Sequence, residues 1–220
     1  MNSRSLLTIA LSIVSLSLLN AQEKTESQKD SVISLKEVVL NADVLFGSKF
    51  QARNRTGSAT YISPEELQLF GFTDINRVLR NVPGVAIYDE EGFGNRPNIS
   101  LRGVSPERSA KITVMEDGVL IAPAPYSAPA AYYFPNVARM HAVEVLKGSS
   151  QIQYGPYTTG GAINMVSGQI PDTFSGNLNA QYGSFNSSNL HLNVGDSFKN
   201  IGYFIEYLNY RSDGFKDLDN

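Results

Sequence analysis

The stretch after Pro171 constrains the fold more than any other part of the chain. Phe174, Leu178, Ala180 and Tyr182 alternate with Ser175, Asn177, Asn179 and Gln181. Leu190, Leu192 and Val194 alternate with His191, Asn193 and Gly195. Ile201, Tyr203, Ile205 and Tyr207 alternate with less polar neighbours, although Glu206 falls in the other set. A period of two puts successive side chains on opposite faces, so these segments predict strands with one apolar face. Segments of about ten residues with that texture fit the strands of a transmembrane β-barrel. A soluble sandwich looks similar over only three strands. The aromatic content and the export signal described next favour the barrel.

Arg4 supplies a positive n-region, and residues 6–19 form an apolar stretch interrupted only by Ser and Thr. Asn20-Ala21-Gln22 follows as a small-residue exit, with cleavage expected after Ala21. This is the pattern of an export signal over residues 1–21. The alternative is a membrane-anchoring helix, but the 14-residue run is short of the roughly 20 needed to span a bilayer. No other segment resembles a membrane-crossing helix. Any later membrane contact must therefore be made by β-structure. Apolar residues make up 42% of the 220 and charged residues 18%, enough apolar content for a packed core. The net charge of −3 counts against a nucleic-acid partner, which calls for a basic face. Zero cysteine excludes disulfides and thiolate metal sites.

Residues 22–34 are polar and aperiodic and predict a flexible linker. Leu35, Lys36, Glu37, Val38, Val39 and Leu40, within residues 35–42, form a short β-prone run without proline. A single strand buries too little to stay folded alone. It suits addition to a partner's sheet edge. The alternative is an ordinary first strand of the domain that follows.

Residues 50–170 predict an α+β domain. Ser63-Pro64-Glu65-Glu66 is a helix start with a capping box and proline at the first helical position. Gly71 can end that helix. Thr73 can cap a second, whose apolar Ile75, Val78, Leu79 and Val82 recur at helical spacing before Pro83-Gly84. Strands are expected over residues 85–88, 98–102, 111–116, 119–121, 142–147 and 162–166. Asp117-Gly118 marks a tight hairpin. Long loops at 89–97, 104–110, 122–135 and 148–161 separate the strands, and loops of that length in a small domain are usually functional.

Together these motifs resemble the TonB-dependent receptors of the Gram-negative outer membrane. Glu37-Val38-Val39 resembles the core of the TonB box. Asn76-Arg77-Val78-Leu79-Arg80-Asn81-Val82-Pro83-Gly84-Val85 resembles the helix-to-PGV motif of the plug. Ile99-Ser100-Leu101-Arg102-Gly103 resembles its IRG strand, and Val114-Met115-Glu116-Asp117-Gly118-Val119 its LDGV hairpin. Val143-Glu144-Val145-Leu146-Lys147-Gly148, Tyr154-Gly155 and Gly160-Gly161-Ala162-Ile163-Asn164 resemble its closing block. Ala124-Pro125-Tyr126 and Tyr154-Gly155-Pro156 are similar to the ferric-dicitrate branch.

The resemblance implies an α+β plug (a mixed sheet with short helices) followed by the first strands of an antiparallel transmembrane β-barrel over residues 171–220. It implies import of a ferric chelate, iron-citrate-like, with energy received from TonB and its inner-membrane energising complex through residues 35–40. Outer-membrane lipid is the other expected partner. No cofactor is implied, because the ferric chelate is a transported ligand. An anionic, oxygen-rich chelate calls for cations and hydroxyls on loops, and Arg's planar fork suits carboxylates. Arg96, Arg108, Tyr126 and Gln153 are the candidates, each otherwise a solvated surface residue. Arg102, Glu144 and Lys147 are expected to be structural, as strand-end charges that lock plug to barrel.

Two departures bear on this. The linker is too short for an N-terminal signalling domain, so transcriptional signalling is not expected. Three barrel strands leave open edges in lipid, so the chain is expected to be a fragment or truncated product that does not transport alone. Other cargoes (siderophores, haem, cobalamin, nickel complexes, glycans) and a soluble exported binding module remain as alternatives. An enzyme is not expected. Gly92-Phe93-Gly94 lacks the third glycine, no Gly-Lys-Ser/Thr occurs, and only His141 and His191 are present as histidines.

Overall fold

The computed structural model describes residues 44–71, 74–121, 128, 133–155 and 158–214. The export signal, the linker, the TonB-box-like run and Tyr126 lie outside the described residues.

The chain enters as a one-turn helix α1 (Lys49–Asn54), with Ser48 Oγ accepting from the Gln51 amide. Strand β1 (Ser58–Ile62) follows, then helix α2 (Pro64–Phe70). The capping box forms as its sequence requires. Ser63 Oγ accepts from the Glu66 amide while the Glu66 carboxylate accepts from the Ser63 amide. Gly71 closes α2 in the left-handed region at φ 57°. Helix α3 (Ile75–Leu79) is capped by Asp74, whose Oδ1 accepts from the Asn76 amide at 2.7 Å. This corrects the expected cap at Thr73, which lies outside the described residues. Asp is as good a cap as Thr, and at position 74 it sits directly before the first helical residue.

Strands β2 (Val85–Tyr88) and β3 (Asn98–Leu101) pair antiparallel as a separate ribbon. Strand β4 (Ile112–Glu116) turns at Asp117-Gly118 into β5 (Val119–Leu120). Both turn residues have positive φ, 50° and 76°, which is the backbone of a type I′ hairpin. Strands β6 (Met140–Lys147) and β7 (Gly161–Ser167) complete a five-stranded mixed sheet in the order β1-β6-β7-β4-β5. Within it β4 and β7 run parallel and the other pairs antiparallel.

Alternation along β6 divides the interior in two. Val143 and Val145 face a core built with Ile75, Val78 and Leu79 of α3, Ile99 and Leu101 of β3, and Ile163 of β7. Leu146 faces the other way, against Leu45, Phe46 and Ala52. Each fully buried aliphatic side chain contributes about 1.5–3 kcal/mol. The α3 and β3 side therefore carries most of the stability, and the leading segment 44–54 covers the thinner side.

After Pro171 come β8 (Ser175–Gly183), β9 (Ser187–Phe198) and β10 (Ile201–Arg211), an antiparallel meander. The register aligns Leu178, Leu192 and Tyr207 on one face. Asn177, Asn193 and Glu206 align on the other. The apolar face is open, with Leu178 67%, Tyr182 77% and Ile205 62% exposed. The polar face turns toward the plug. Connector and wall meet closely at glycines on both sides. A Cβ at Gly195 would stand 2.6 Å from Pro171 Cδ, and one at Gly168 would stand 2.5 Å from Phe204 Cζ. No helix among the described residues is long and apolar enough to cross a membrane.

Candidate functional site: the loop end of the plug and the seat of the leading segment

The sheet register brings several long loops to one end. Ser58 pairs with Lys147, Leu146 with Ala162, and Ile112 with Gly161. The loop before β4 and the loop between β6 and β7 therefore emerge together, and the Gly160 amide donates to the Lys111 carbonyl at 2.9 Å.

The loops carrying Arg96 and Arg108 are stitched to each other. The Arg108 amide donates to Asn98 Oδ1 at 2.7 Å, two residues from Arg96. Ser109 Oγ donates to the Pro97 carbonyl and accepts from the Ile99 amide. Arg108 and Ser109 both hold positive φ, 50° and 55°. Non-glycine residues there are strained by about 1–3 kcal/mol each, and the bonds from Asn98 and the buried Ser109 hold them. The Arg96 amide donates to Glu91 Oε1 at 2.7 Å. Both arginines are exposed. Gly94 presses on the cap of α3: its φ is +74°, and a Cβ there would lie 2.2 Å from Asp74 Oδ1. Burial raises the Asp74 pKa above the usual aspartate value. Gln153 is exposed in a 3₁₀ turn, Ser149–Tyr154, at the same end of the sheet.

Arg102, Lys147 and the Pro83-Gly84 turn meet beside these loops. The Arg102 amide donates to the Gly84 carbonyl at 3.0 Å, and Lys147 Nζ donates to the Pro83 carbonyl. Burial, with the Arg102 charge added, holds the Lys147 pKa below the usual lysine value. Arg102 itself is exposed, with φ 57°.

Glu144 sits elsewhere, wholly buried in the middle of β6. Its carboxylate accepts from three consecutive amides: Leu45 at 2.6 Å, Phe46 at 3.0 Å and Gly47 at 2.7 Å. Asn164 Nδ2 donates a fourth bond at 2.9 Å. This corrects the expected strand-end charge locking plug to barrel: Glu144 lies mid-strand, and these partners belong to the plug and span up to 99 residues of sequence. Glu144 was within reach of sequence reasoning as a site residue, but its seat was not, since nothing in the sequence links it to residues 45–47. Arg55 was missed altogether. Its Nη1 donates to the Leu45 carbonyl at 2.7 Å and its Nη2 to the Tyr154 hydroxyl at 2.8 Å.

Between plug and wall lies a polar cavity of about 520 Å³. Its lining includes Gln68, Arg139, Asn177, Asn189, His191 and Glu206. His191 Nε2 lies 2.8 Å from Glu206 Oε1 on the inner face.

A small mixed-sheet cork, loops gathered at one end, joined through a short connector to strands with an outward apolar face: this defines the plug and wall of a β-barrel receptor. The family model described as "TonB-dependent Receptor Plug Domain" matches residues 51–162. The chain belongs to that family, whose receptors are outer-membrane proteins of Gram-negative bacteria and not enzymes. It is similar to the unliganded ferric citrate transporter FecA, with 25% identity and a TM-score of 0.63, over 76% of this chain and 27% of that one. It is similar to the ferric yersiniabactin uptake receptor FyuA from Yersinia pestis, with 28% identity and a TM-score of 0.53, over 68% of this chain and 23% of that one. The siderophore receptor PirA from Acinetobacter baumannii shares the fold at 22% identity and a TM-score of 0.53, over 73% of this chain and 25% of that one. The chain thus spans about a quarter of the length of these receptors.

Proposed function

We propose that this chain is the plug and first wall strands of a TonB-dependent importer of a ferric chelate, iron-citrate-like in charge and oxygen content. The observation that carries the reading is the plug fold joined directly to strands whose apolar face is left exposed among the described residues. Import of a ferric chelate is supported by the likeness to a ferric citrate transporter and a ferric yersiniabactin receptor. Citrate is supported by the two exposed arginines on the stitched loops, since a guanidinium pairs with carboxylates through two parallel bonds. Tyr126 and Gln153 complete the proposed ligand contacts, and Arg102 and Lys147 are the proposed lock between plug and barrel, whereas Glu144 spends its bonds inside the plug. Residues 35–40 are the proposed TonB contact, adding a strand to TonB's sheet.

Two variants separate the roles. Arg96→Ala with Arg108→Ala should abolish binding of ferric citrate to the full-length receptor, and unchanged affinity would remove citrate as cargo. Val38→Pro deletes a backbone donor from the added strand. It should abolish uptake while ligand still binds, and normal uptake would discard the TonB contact. Growth on a panel of ferric siderophores then decides between citrate and a larger chelate.

A further inference from the structure

We propose that the cavity between plug and wall is a second binding site, separate from the loop end, for a hydroxy-carboxylate, free or as its ferric chelate. Naming the ligand this way rests on reading the cargo as iron-citrate-like. The site itself stands on its own geometry. Its volume of about 520 Å³ falls within the roughly 300–1,000 Å³ of small-molecule sites. It lies at the far end of the plug sheet from the long loops. Met140, which lines it, pairs with Ser167, whereas Leu146 pairs with Ala162 at the loop end. The run of β6 from Met140 to Lys147 is about 23 Å at the strand rise. Plug and wall are bonded directly beside the cavity. Gln181 Nε2 donates to the Gly71 carbonyl at 3.4 Å, and both residues line it. The space is thus framed by the chain's own packing and needs no ligand to form.

Arg139 supplies the cation, and it is already oriented. Its Nη2 donates to the Glu116 carboxylate, and to the Tyr133 hydroxyl at 3.0 Å. Tyr133 in turn donates to the other Glu116 oxygen at 3.1 Å. That knot fixes the guanidinium plane, while its Nε and Nη1 have no hydrogen-bond partner among the described residues. A held guanidinium with unspent N–H groups is matched by a carboxylate. Carboxamides accompany it: Gln68 from α2, Asn177 and Asn189 from the wall. An amide both donates and accepts, so carboxylates, hydroxyls and metal-bound oxygens all find a partner. Asn189 is buried, and its Oδ1 has no partner among the described residues. Turning the amide over gives up no bond of that oxygen and offers it to a ligand hydroxyl. A ligand with carboxylates alone leaves it orphaned. The acids of the lining set the strength. Glu206 is held by His191 at 2.8 Å, and Asp172 sits on the connector. Together they offset much of the Arg139 charge, so a carboxylate is recognised without being trapped. A station on the way through requires that, since a ligand held tightly there would travel no further.

Equilibrium dialysis of the full-length receptor in detergent counts the sites, with labelled metal-free citrate and ferric citrate in separate arms. The wild type should hold a second, weaker ligand beyond the one at the loop end, and the arm that fills it identifies free acid or chelate. Arg139→Gln should weaken the second site by roughly tenfold or more, and Asn177→Leu by roughly fivefold, with loop-end affinity unchanged. If Arg139→Gln disturbs the plug, Asn177→Leu decides, because Asn177 stands outside the Arg139 knot. Propane-1,2,3-tricarboxylate lacks the hydroxyl of citrate and should bind the second site roughly threefold more weakly. Equal binding overturns the hydroxyl contact. Arg96→Ala with Arg108→Ala should remove the loop-end ligand and keep the second. A single class of sites that vanishes in that double variant overturns the inner site, as does wild-type second-site affinity in Asn177→Leu. A ligand at the second site with none at the loop end in the wild type overturns the arginine reading and upholds the inner site. Absence of binding in both arms overturns both.

Discussion

The plug sheet and the wall strands obey the same period-two rule and use it in opposite ways. In β6 both faces are consumed by the chain itself, and Val143, Glu144, Val145 and Leu146 are all wholly buried. In β8 to β10, among the described residues, the polar face meets the plug, and the apolar face carries Leu178, Leu192, Ile205 and Tyr207 into the open. The plug completes its own solvent exclusion. The wall presents apolar residues to a second solvent, which a bilayer supplies. Identical local patterning thus yields a water-stable core in one region and a lipid-dependent surface in the other.

Leu79→Ala should break the plug side of this contrast most strongly. Leu79 is wholly buried among α3, β3 and β6. Its truncation should cost about 2–5 kcal/mol, read as a lower urea midpoint for β6 and β7 exchange, with or without lipid. Leu192→Arg attacks the wall. It should cost about 2–4 kcal/mol, and only when the chain is reconstituted in a bilayer. Equal cost in detergent-free buffer would mean the face packs against protein.

Glycine substitutions sharpen the contrast at smaller scale. Gly94→Ala combines a positive φ with a contact to Asp74 and should destabilise the loop end by about 1–3 kcal/mol, accompanied by weaker ligand binding. Gly183→Ala, at the end of β8 with open space around it, should be near neutral. The smallest effect is a pH slope. The folded-state pKa of Lys147 lies below lysine's ordinary 10.5, so between the two values the unfolded chain binds more protons. Plug stability should therefore rise as pH climbs through that window. Lys147→Met should abolish the rise, and a slope that persists would assign it to another group.

Much of the plug was legible because its signals are local. Val85–Tyr88 forms the strand expected there, Ser63 and Glu66 close the capping box, and Asp117-Gly118 makes the hairpin. Each depends on residues within a few positions. Strand β1 and helix α1 were not anticipated. Ser58–Ile62 has no clean alternation, and Lys49–Asn54 is a single turn with one buried residue. Both exist because β6 offers an edge and Leu146 a surface. The site was half legible. Arginine on long loops could be picked out by chemistry, but the stitching through Asn98 and Ser109 could not. The seat of Glu144 joins residues almost a hundred apart, and Arg55 carries no local signal at all.

By itself the order of residues determined the element types, the hairpin, the helix caps and the division between a folded cork and outward-apolar strands. These follow from backbone sterics, capping bonds and side-chain periodicity, which act over a few residues. Only the tertiary structure decided which loops share an end and what the buried carboxylate holds. Those depend on strand order and on one parallel pairing, and contacts of that range are selected by burial in three dimensions rather than by neighbouring sequence.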